Sequence, residues 1–143
     1  MADLRVDFYI TPAGNARLGL ACKLAEKAYL AAHTVLIWHT DAAELQALDE
    51  MLWMFRDGSF VPHEVLATIQ TDGADTPVLL SCGPLPAGEL DVIINLAAEV
   101  PEFLPRAKRV VEIIDGDESR RQAGRARYRA YLERGVQPAS HNL

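Results

Sequence analysis

The chain has 143 residues, half of them hydrophobic and about a quarter charged, which is the composition of one globular domain with a proper core. Its 14 Lys and Arg against 20 Asp and Glu give a formal net charge of −6, which disfavours a protein that coats nucleic acid. No run approaches the ~18 apolar residues of a membrane span, and two cysteines do not make a disulfide framework. We therefore expect a cytoplasmic protein without membrane contact.

The first part of the chain predicts strands and helices in alternation. Arg5–Ile10 alternates apolar and polar residues and predicts a strand, while residues 16–32 repeat apolar side chains at helical spacing. Residues 34–40 form a nearly all-apolar run, typical of a strand that is covered on both faces. Asp41 can cap a second helix that runs to about Trp53.

The second part predicts three more strands and a last helix. A loop at 56–64 precedes strand-like runs at 76–82 and 91–97, and a fifth run covers 109–114 before a helix to about Arg134. The Pro/Gly-rich connection between the third and fourth runs has no helical pattern, so one antiparallel hairpin is possible there. Strands alternating with helices indicate an α/β fold: a sandwich with a mostly parallel central sheet flanked by helices.

The sequence shows no constellation of residues for catalysis. Residues 11–19 carry neither of the glycine patterns that cradle phosphates, so we expect no nucleotide-binding loop and no cofactor. His39 near Asp41 imitates part of an acid–base pair, but a solvated histidine at a strand end is the favoured interpretation. No Cys/His pair has zinc spacing. We therefore predict no catalytic residues and no metal site.

Large apolar groups cluster at the end of the second helix and in the loop that follows. Trp53, Met54, Phe55 and Phe60 lie close together, beside turn-forming residues. Some of these side chains would stay exposed, and exposed aromatic groups are favoured anchors of protein interfaces. Packing of all four into the core is the alternative, and the pattern itself leaves both open.

The most unusual stretch is basic, because residues 120–134 hold six arginines and a single acid. On a helix, Arg121, Arg125, Tyr128 and Arg129 are spaced to share one face. Like charges one turn apart destabilise an isolated helix, which favours an external anion as their partner. A solvated helix, partly balanced by the acids at its start, is the alternative.

An acidic peptide suits this face better than a nucleic acid does. Arginine with a stacking tyrosine is typical of nucleic-acid binding, but the net negative charge repels a polyanion and one helical face is a small footprint. An acidic peptide needs a compact basic patch beside an apolar slot, and its terminal carboxylate fits the guanidinium fork. Direct nucleic-acid binding through the same helix is the second hypothesis.

Two segments resemble the chi subunit of bacterial DNA polymerase III. "LDEMLWMFRDGSFVPHEV" is similar to the L-D-x-x-L-W…S-F-V-P-H segment of that family, and "RARYRAYLERG" to its R-x-R-Y-[KR]-x-Y helix. The order of the surrounding strands and helices also agrees, so the resemblance covers nearly the whole chain. It implies a non-catalytic accessory subunit of the clamp-loader assembly, with a Rossmann-like fold that binds no nucleotide.

The resemblance also implies a partner and the residues that bind it. In that family the basic C-terminal region binds the acidic C-terminal tail of single-stranded DNA-binding protein, which ends in Pro-Phe. Here Arg121, Arg125 and Arg129 would contact the aspartates and the carboxylate of the tail. Tyr128 and Ile114 would form the slot for its terminal phenylalanine. Tight direct binding to DNA is not expected.

A second surface follows from the same resemblance. The segment from the Leu-Trp pair to Ser-Phe-Val-Pro-His corresponds to the surface that binds the psi subunit or, in competition, a helicase-type protein. The predicted contact residues are Trp53, Phe55, Phe60, Val61 and Pro62. Residues 1–143 would form a single domain that acts at the bacterial replication fork. The tail 136–143 departs from the aromatic ending of that family, and we expect it to be flexible.

Overall fold

The computed structural model describes residues 4–14, 16–54, 61–66, 76–86, 88–103 and 106–143. In chain order they form β1 (Arg5–Ile10), α1 (Arg17–Leu30), β2 (Val35–Trp38), α2 (Ala42–Met54), β3 (His63–Val65), β4 (Val78–Ser81), β5 (Leu90–Asn95), β6 (Ala107–Ile114), α3 (Glu118–Glu133) and β7 (Ala139–Asn142). The strands and helices predicted from the sequence are confirmed to within a few residues at their ends, but the loop predicted to run to residue 64 gives way to β3 at His63. Asp41 caps α2 as predicted, since its Oδ1 accepts a hydrogen bond from the Ala43 N–H at 2.9 Å. None of these helices is long and apolar enough to cross a membrane.

One parallel sheet organises the described part of the chain. Its seven strands lie in the order β3-β4-β2-β5-β6-β1-β7, and every neighbouring pair is parallel. The nearly continuous apolar sequences of β2, β4 and β5 are those of interior strands buried on both faces. The α/β class, a Rossmann-like sandwich with its sheet flanked by helices, is confirmed.

The antiparallel hairpin considered for the third and fourth strand-like runs is wrong. β4 and β5 do not pair with each other, because both flank β2 and run parallel to it. The chain from Cys82 to Glu89 can span at most ~26 Å when fully extended. The distance from the end of β4 across β2 to the start of β5 is ~16 Å. An extended chain of this length can therefore make the crossover without a helix. This agrees with the absence of a helical pattern in the sequence between the two strands.

The two faces of the sheet are covered by different elements. Val35 and Ile37 of β2 belong to the buried cluster that α1 and α2 cover. Leu36 and Trp38 alternate with them and face the other side, where Tyr131 of α3 is fully buried. The first face thus has two helices, and the second face has α3.

The C-terminal residues 136–143, expected to be flexible, instead include a strand. β7 pairs in parallel with β1 at the edge of the sheet. His141 Nε2 lies 2.9 Å from Asp7 Oδ1, and the His141 ring stacks on Tyr9 with ring centroids 4.7 Å apart. Asp7 is 134 positions away in the sequence, so the polar composition of the tail did not reveal this partner.

Candidate functional site

The arginines of the basic segment do not all face outward. Arg120 donates from Nε and Nη2 to the Asp115 carboxylate, at 3.0 Å in both cases. Arg127 is 6% exposed and donates from Nε to Glu112 Oε1 at 2.8 Å. Two of the six positive charges are therefore paired with buried carboxylates, which helical spacing alone did not predict. The available signal was the lone glutamate in the apolar run of β6, because a buried carboxylate requires a partner.

Glu112 anchors α3 to the sheet through a buried polar network. The Glu112 side chain is fully buried, and its Oε2 accepts hydrogen bonds from Asn95 Nδ2 at 2.9 Å and Tyr131 Oη at 2.7 Å. Complete burial raises the pKa of Glu112, while the Arg127 charge and the hydrogen bonds oppose that increase. Burial and the neighbouring Glu112 also raise the pKa of Tyr131. The network fixes the position of the outward face of α3.

The outward face of α3 carries the arginines that the sequence singled out. Arg121, Arg125 and Arg129 are exposed, and none of them has an ion-pair partner within the described residues. Arg121 and Arg125 line a cavity of about 200 Å³, the arginine cavity. The other residues of its lining are Phe8, Ile10, Ile114, Gly124, Tyr128 and Ser140. The structure thus brings together four of the five predicted residues and places Arg129 outside the lining.

An apolar floor lies below the two arginines. Ile114 is 7% exposed, and the ring centroids of Tyr128 and Phe8 are 5.3 Å apart. Gly124 makes room for this floor, because a Cβ atom at that position would overlap Ile114 Cδ1. Pockets for drug-sized ligands measure ~300–1,000 Å³, so the arginine cavity suits a single bulky side chain. Guanidinium groups at its rim can bind a carboxylate in bidentate geometry.

β1 and the C-terminal segment form walls of the arginine cavity that the sequence reasoning missed. Phe8 and Ile10 lie on the same face of β1, as their spacing of two residues requires. Ser140 of β7 is part of the lining, and Gln137 Nε2 donates to Tyr128 Oη at 3.0 Å. The alternation in β1 could have identified its two residues, but nothing in the sequence marks Ser140 or Gln137.

The predicted partner surface is described in part. Phe55 and Phe60 lie outside the described residues. Trp53 is 55% exposed and contacts the ring of His63 at a centroid distance of 4.3 Å, and Pro62 is half-buried.

Val61, also predicted for that surface, is not exposed in this structure. Val61 is 2% exposed, because it packs in the same buried cluster as Leu48 and Leu52 of α2. Met51, which was not among the predicted contact residues, is 37% exposed near the end of the same helix. Met54, noted as a large apolar group, is 84% exposed.

His39 is buried and not solvated, which corrects the expectation for it. Its Nε2 lies 2.8 Å from Glu44 Oε1, and its Nδ1 accepts a hydrogen bond from the Thr40 N–H at 2.9 Å. Burial opposes ionisation of Glu44, but hydrogen bonds from His39 and Arg17 lower the pKa of Glu44. His39 thus pairs with Glu44, while Asp41 serves as a helix cap. In the described part of the chain, no group of three or more His, Cys, Asp or Glu residues could hold a metal ion.

The fold and the site define a Rossmann-like α/β protein that presents a cationic, apolar cavity near one edge of its sheet. A family model described as "DNA polymerase III chi subunit, HolC" matches residues 4–139. The chain therefore belongs to the chi-subunit family of DNA polymerase III, and its process is DNA replication.

Curated relatives named "DNA polymerase III subunit chi" agree with this assignment. The Pseudomonas aeruginosa protein is 39% identical over 141 residues, which are 97% of this chain and 96% of the relative. The Escherichia coli K12 protein is 28% identical over 116 residues, covering 81% and 78%. The Haemophilus influenzae protein is 26% identical over 125 residues, covering 87% and 85%.

Proposed function

We propose that this chain is a non-catalytic adaptor that binds the acidic C-terminal tail of single-stranded DNA-binding protein and links it to the clamp loader. The observation that carries the proposal is the arginine cavity, where Arg121 and Arg125 stand at the rim of an apolar slot. Neither arginine has an ion-pair partner among the residues described, so both are available to an external anion. The adaptor would act in the cytoplasm, with the other subunits of the polymerase.

The tail would bind with its last residue in the cavity. The terminal phenylalanine packs between Ile114, Phe8 and Tyr128, and its carboxylate accepts hydrogen bonds from Arg125 or Arg121. Arg129 lies outside the lining and meets the aspartates that precede the phenylalanine. Because Arg125 lines the cavity that holds the terminal residue and Arg129 does not, loss of Arg129 weakens binding less than loss of Arg125.

Direct binding to nucleic acid is the second candidate function, and the arrangement of charges favours it less. Arg120 and Arg127 are engaged by carboxylates inside the protein, which leaves four arginines of the segment for phosphates. A net charge of −6 opposes the approach of a polyanion. Fluorescence polarisation with a bare oligonucleotide distinguishes the two: submicromolar binding at physiological salt would favour direct contact with DNA.

The exposed end of α2 is the proposed site for a psi-type clamp-loader protein or, in competition, a helicase-type protein. Trp53 and Met54 supply exposed apolar side chains there, as interface anchors do. α2 covers one face of the sheet and α3 the other, so both partners could bind at the same time. In a pull-down, Trp53→Ala should reduce capture of a psi-type protein and leave tail binding intact.

Calorimetric titration with a synthetic acidic peptide ending in Pro-Phe tests the main proposal. Arg125→Ala should weaken binding more than tenfold, and the loss should shrink as salt increases. Arg134→Ala is the matched control, because Arg134 is an exposed arginine just after α3 that does not line the cavity. Unchanged affinity in Arg125→Ala, or equal losses in both variants, would overturn the proposal.

A further inference from the structure

The α3 face of the sheet is covered by a helix over one half. α3 packs against β6, with Tyr131 buried on that side. The crossovers from β4 to β5 and from β5 to β6 would place helices over the other half in an ordinary parallel sheet. The described residues of both crossovers contain no α-helix. Loops therefore cover β2 and β5 on this face.

A groove of about 580 Å³ lies where that helical layer is missing. The side chains of Trp38, Leu85, Val100 and Phe103 line it, and we call it the Trp38 groove. All four are half-buried, and the rings of Trp38 and Phe103 meet edge to face with centroids 4.9 Å apart. The volume falls within the range of ligand-binding pockets, and the groove shares no lining residue with the arginine cavity.

The rim of the Trp38 groove is acidic. Glu99 and Glu102 line the groove and are exposed, and neither has an ion-pair partner among the residues that the structure describes. The basic side chains nearest in sequence are engaged elsewhere. The Arg106 guanidinium donates to the Gly88 carbonyl at 2.7 Å and 3.0 Å, and Lys108 pairs with Asp91 at 3.4 Å. These two carboxylates are therefore available to an external cation.

We propose that the Trp38 groove binds a basic segment of another protein. A bulky apolar side chain of that segment inserts beside Trp38 and Phe103, and lysine or arginine residues flanking it pair with Glu99 and Glu102. The groove lies at the carboxyl ends of β2 and β5, where open parallel sheets commonly bind their ligands. Its charge is opposite to that of the arginine cavity, so an acidic tail and a basic segment would be sorted to different sites.

Trp38 itself can report on occupancy of the groove. The chain has two tryptophans, so a Trp53→Phe background isolates the fluorescence of Trp38. The probe is the acetylated and amidated peptide Lys-Lys-Leu-Phe-Lys-Lys, with Glu-Glu-Leu-Phe-Glu-Glu as its charge-reversed control. We expect a saturable change in Trp38 emission with the basic peptide and none with the acidic one. Replacement of Leu-Phe by Ser-Ser in the basic peptide should abolish the change.

Charge reversal at the rim provides the second part of the test. Glu99→Lys/Glu102→Lys should weaken binding of the basic peptide at least tenfold, because two attractive contacts become repulsive. Glu50→Lys/Glu133→Lys is the matched control, since these exposed glutamates lie on α2 and α3, outside the groove. Both double variants change exposed side chains and should keep the circular dichroism spectrum of the parent protein.

Three results would overturn the proposal. The first is an unchanged Trp38 emission when the basic peptide is added. The second is an equal affinity of the rim variant and its control for the basic peptide. The third is self-association of the parent chain that the rim variant abolishes. The last result would show that a second copy of this chain occupies the groove. Binding of the acidic Pro-Phe peptide by the rim variant should match the parent, so failure here is distinguishable from failure of the proposed tail site.

Discussion

The substitution Gly124→Ala tests how the arginine cavity is built. A methyl group at Gly124 would overlap Ile114 Cδ1 and lie 3.2 Å from Ile114 Cγ1. Ile114 lines the cavity, so its side chain can relieve the overlap by rotating into that space. The slot then loses the depth of one or two methylene groups. At ~0.8 kcal/mol for each buried methylene, the tail peptide should bind about 4- to 15-fold more weakly.

Stability and affinity should respond differently to this substitution. Replacing a glycine inside a helix with alanine favours folding by ~1 kcal/mol, whereas overpacking costs ~1–3 kcal/mol, so the net destabilisation should stay below ~2 kcal/mol. Ala126→Gly is the matched control, because Ala126 is exposed on the same helix: it should lower stability by up to ~1 kcal/mol and leave affinity unchanged. Urea unfolding and calorimetric titration measure the two quantities. Parental affinity in Gly124→Ala would refute the account of the floor.

The remaining predictions concern the buried polar groups and the buried Val61. Arg127→Ala leaves Glu112 buried without its cation and should destabilise the fold by ~3–5 kcal/mol in urea unfolding, whereas the exposed Arg129→Ala should change it by less than ~0.5 kcal/mol. Burial opposes ionisation of Asp7, but hydrogen bonds from His141 and Arg109 lower the pKa of Asp7 below its ordinary 3.8. The stability from this carboxylate is therefore present above that value and is lost as the pH falls through the lower folded pKa, so Asp7→Asn should flatten the decline in stability measured below about pH 4. Val61→Ala should cost ~1.5–3 kcal/mol of stability, and a loss near zero would contradict the burial of Val61 in the core.

Much of the fold was predictable because its strands and helices have clear periodicities. The interior strands are short apolar runs, and the capping role of Asp41 follows from its position before a helical pattern. What the sequence did not predict depends on pairing between distant segments. β7 is polar and forms because His141 meets Asp7 and Tyr9 at the sheet edge.

In the candidate site, too, local features were predictable and contacts between distant segments were not. Helical spacing correctly placed Arg121, Arg125 and Tyr128 on one face, because spacing within a helix is a local property. Spacing within α3 did not show that Arg120 and Arg127 are paired with carboxylates. Their partners lie before the helix, Glu112 in β6 and Asp115 in the turn that follows β6. Spacing also did not show that Arg129 lies outside the cavity lining, because that depends on where α3 crosses the sheet.

A double-mutant cycle between the protein and the tail peptide tests the central claim most directly. The cycle combines Tyr128→Ala with removal of the terminal phenylalanine from the acidic Pro-Phe peptide, and calorimetry measures all four affinities. If that phenylalanine packs against Tyr128 in the arginine cavity, the two changes should be coupled by ~0.5–3 kcal/mol, so that the second loss is smaller once the first has been made. Fully additive losses would show that the terminal phenylalanine binds elsewhere and would contradict the account.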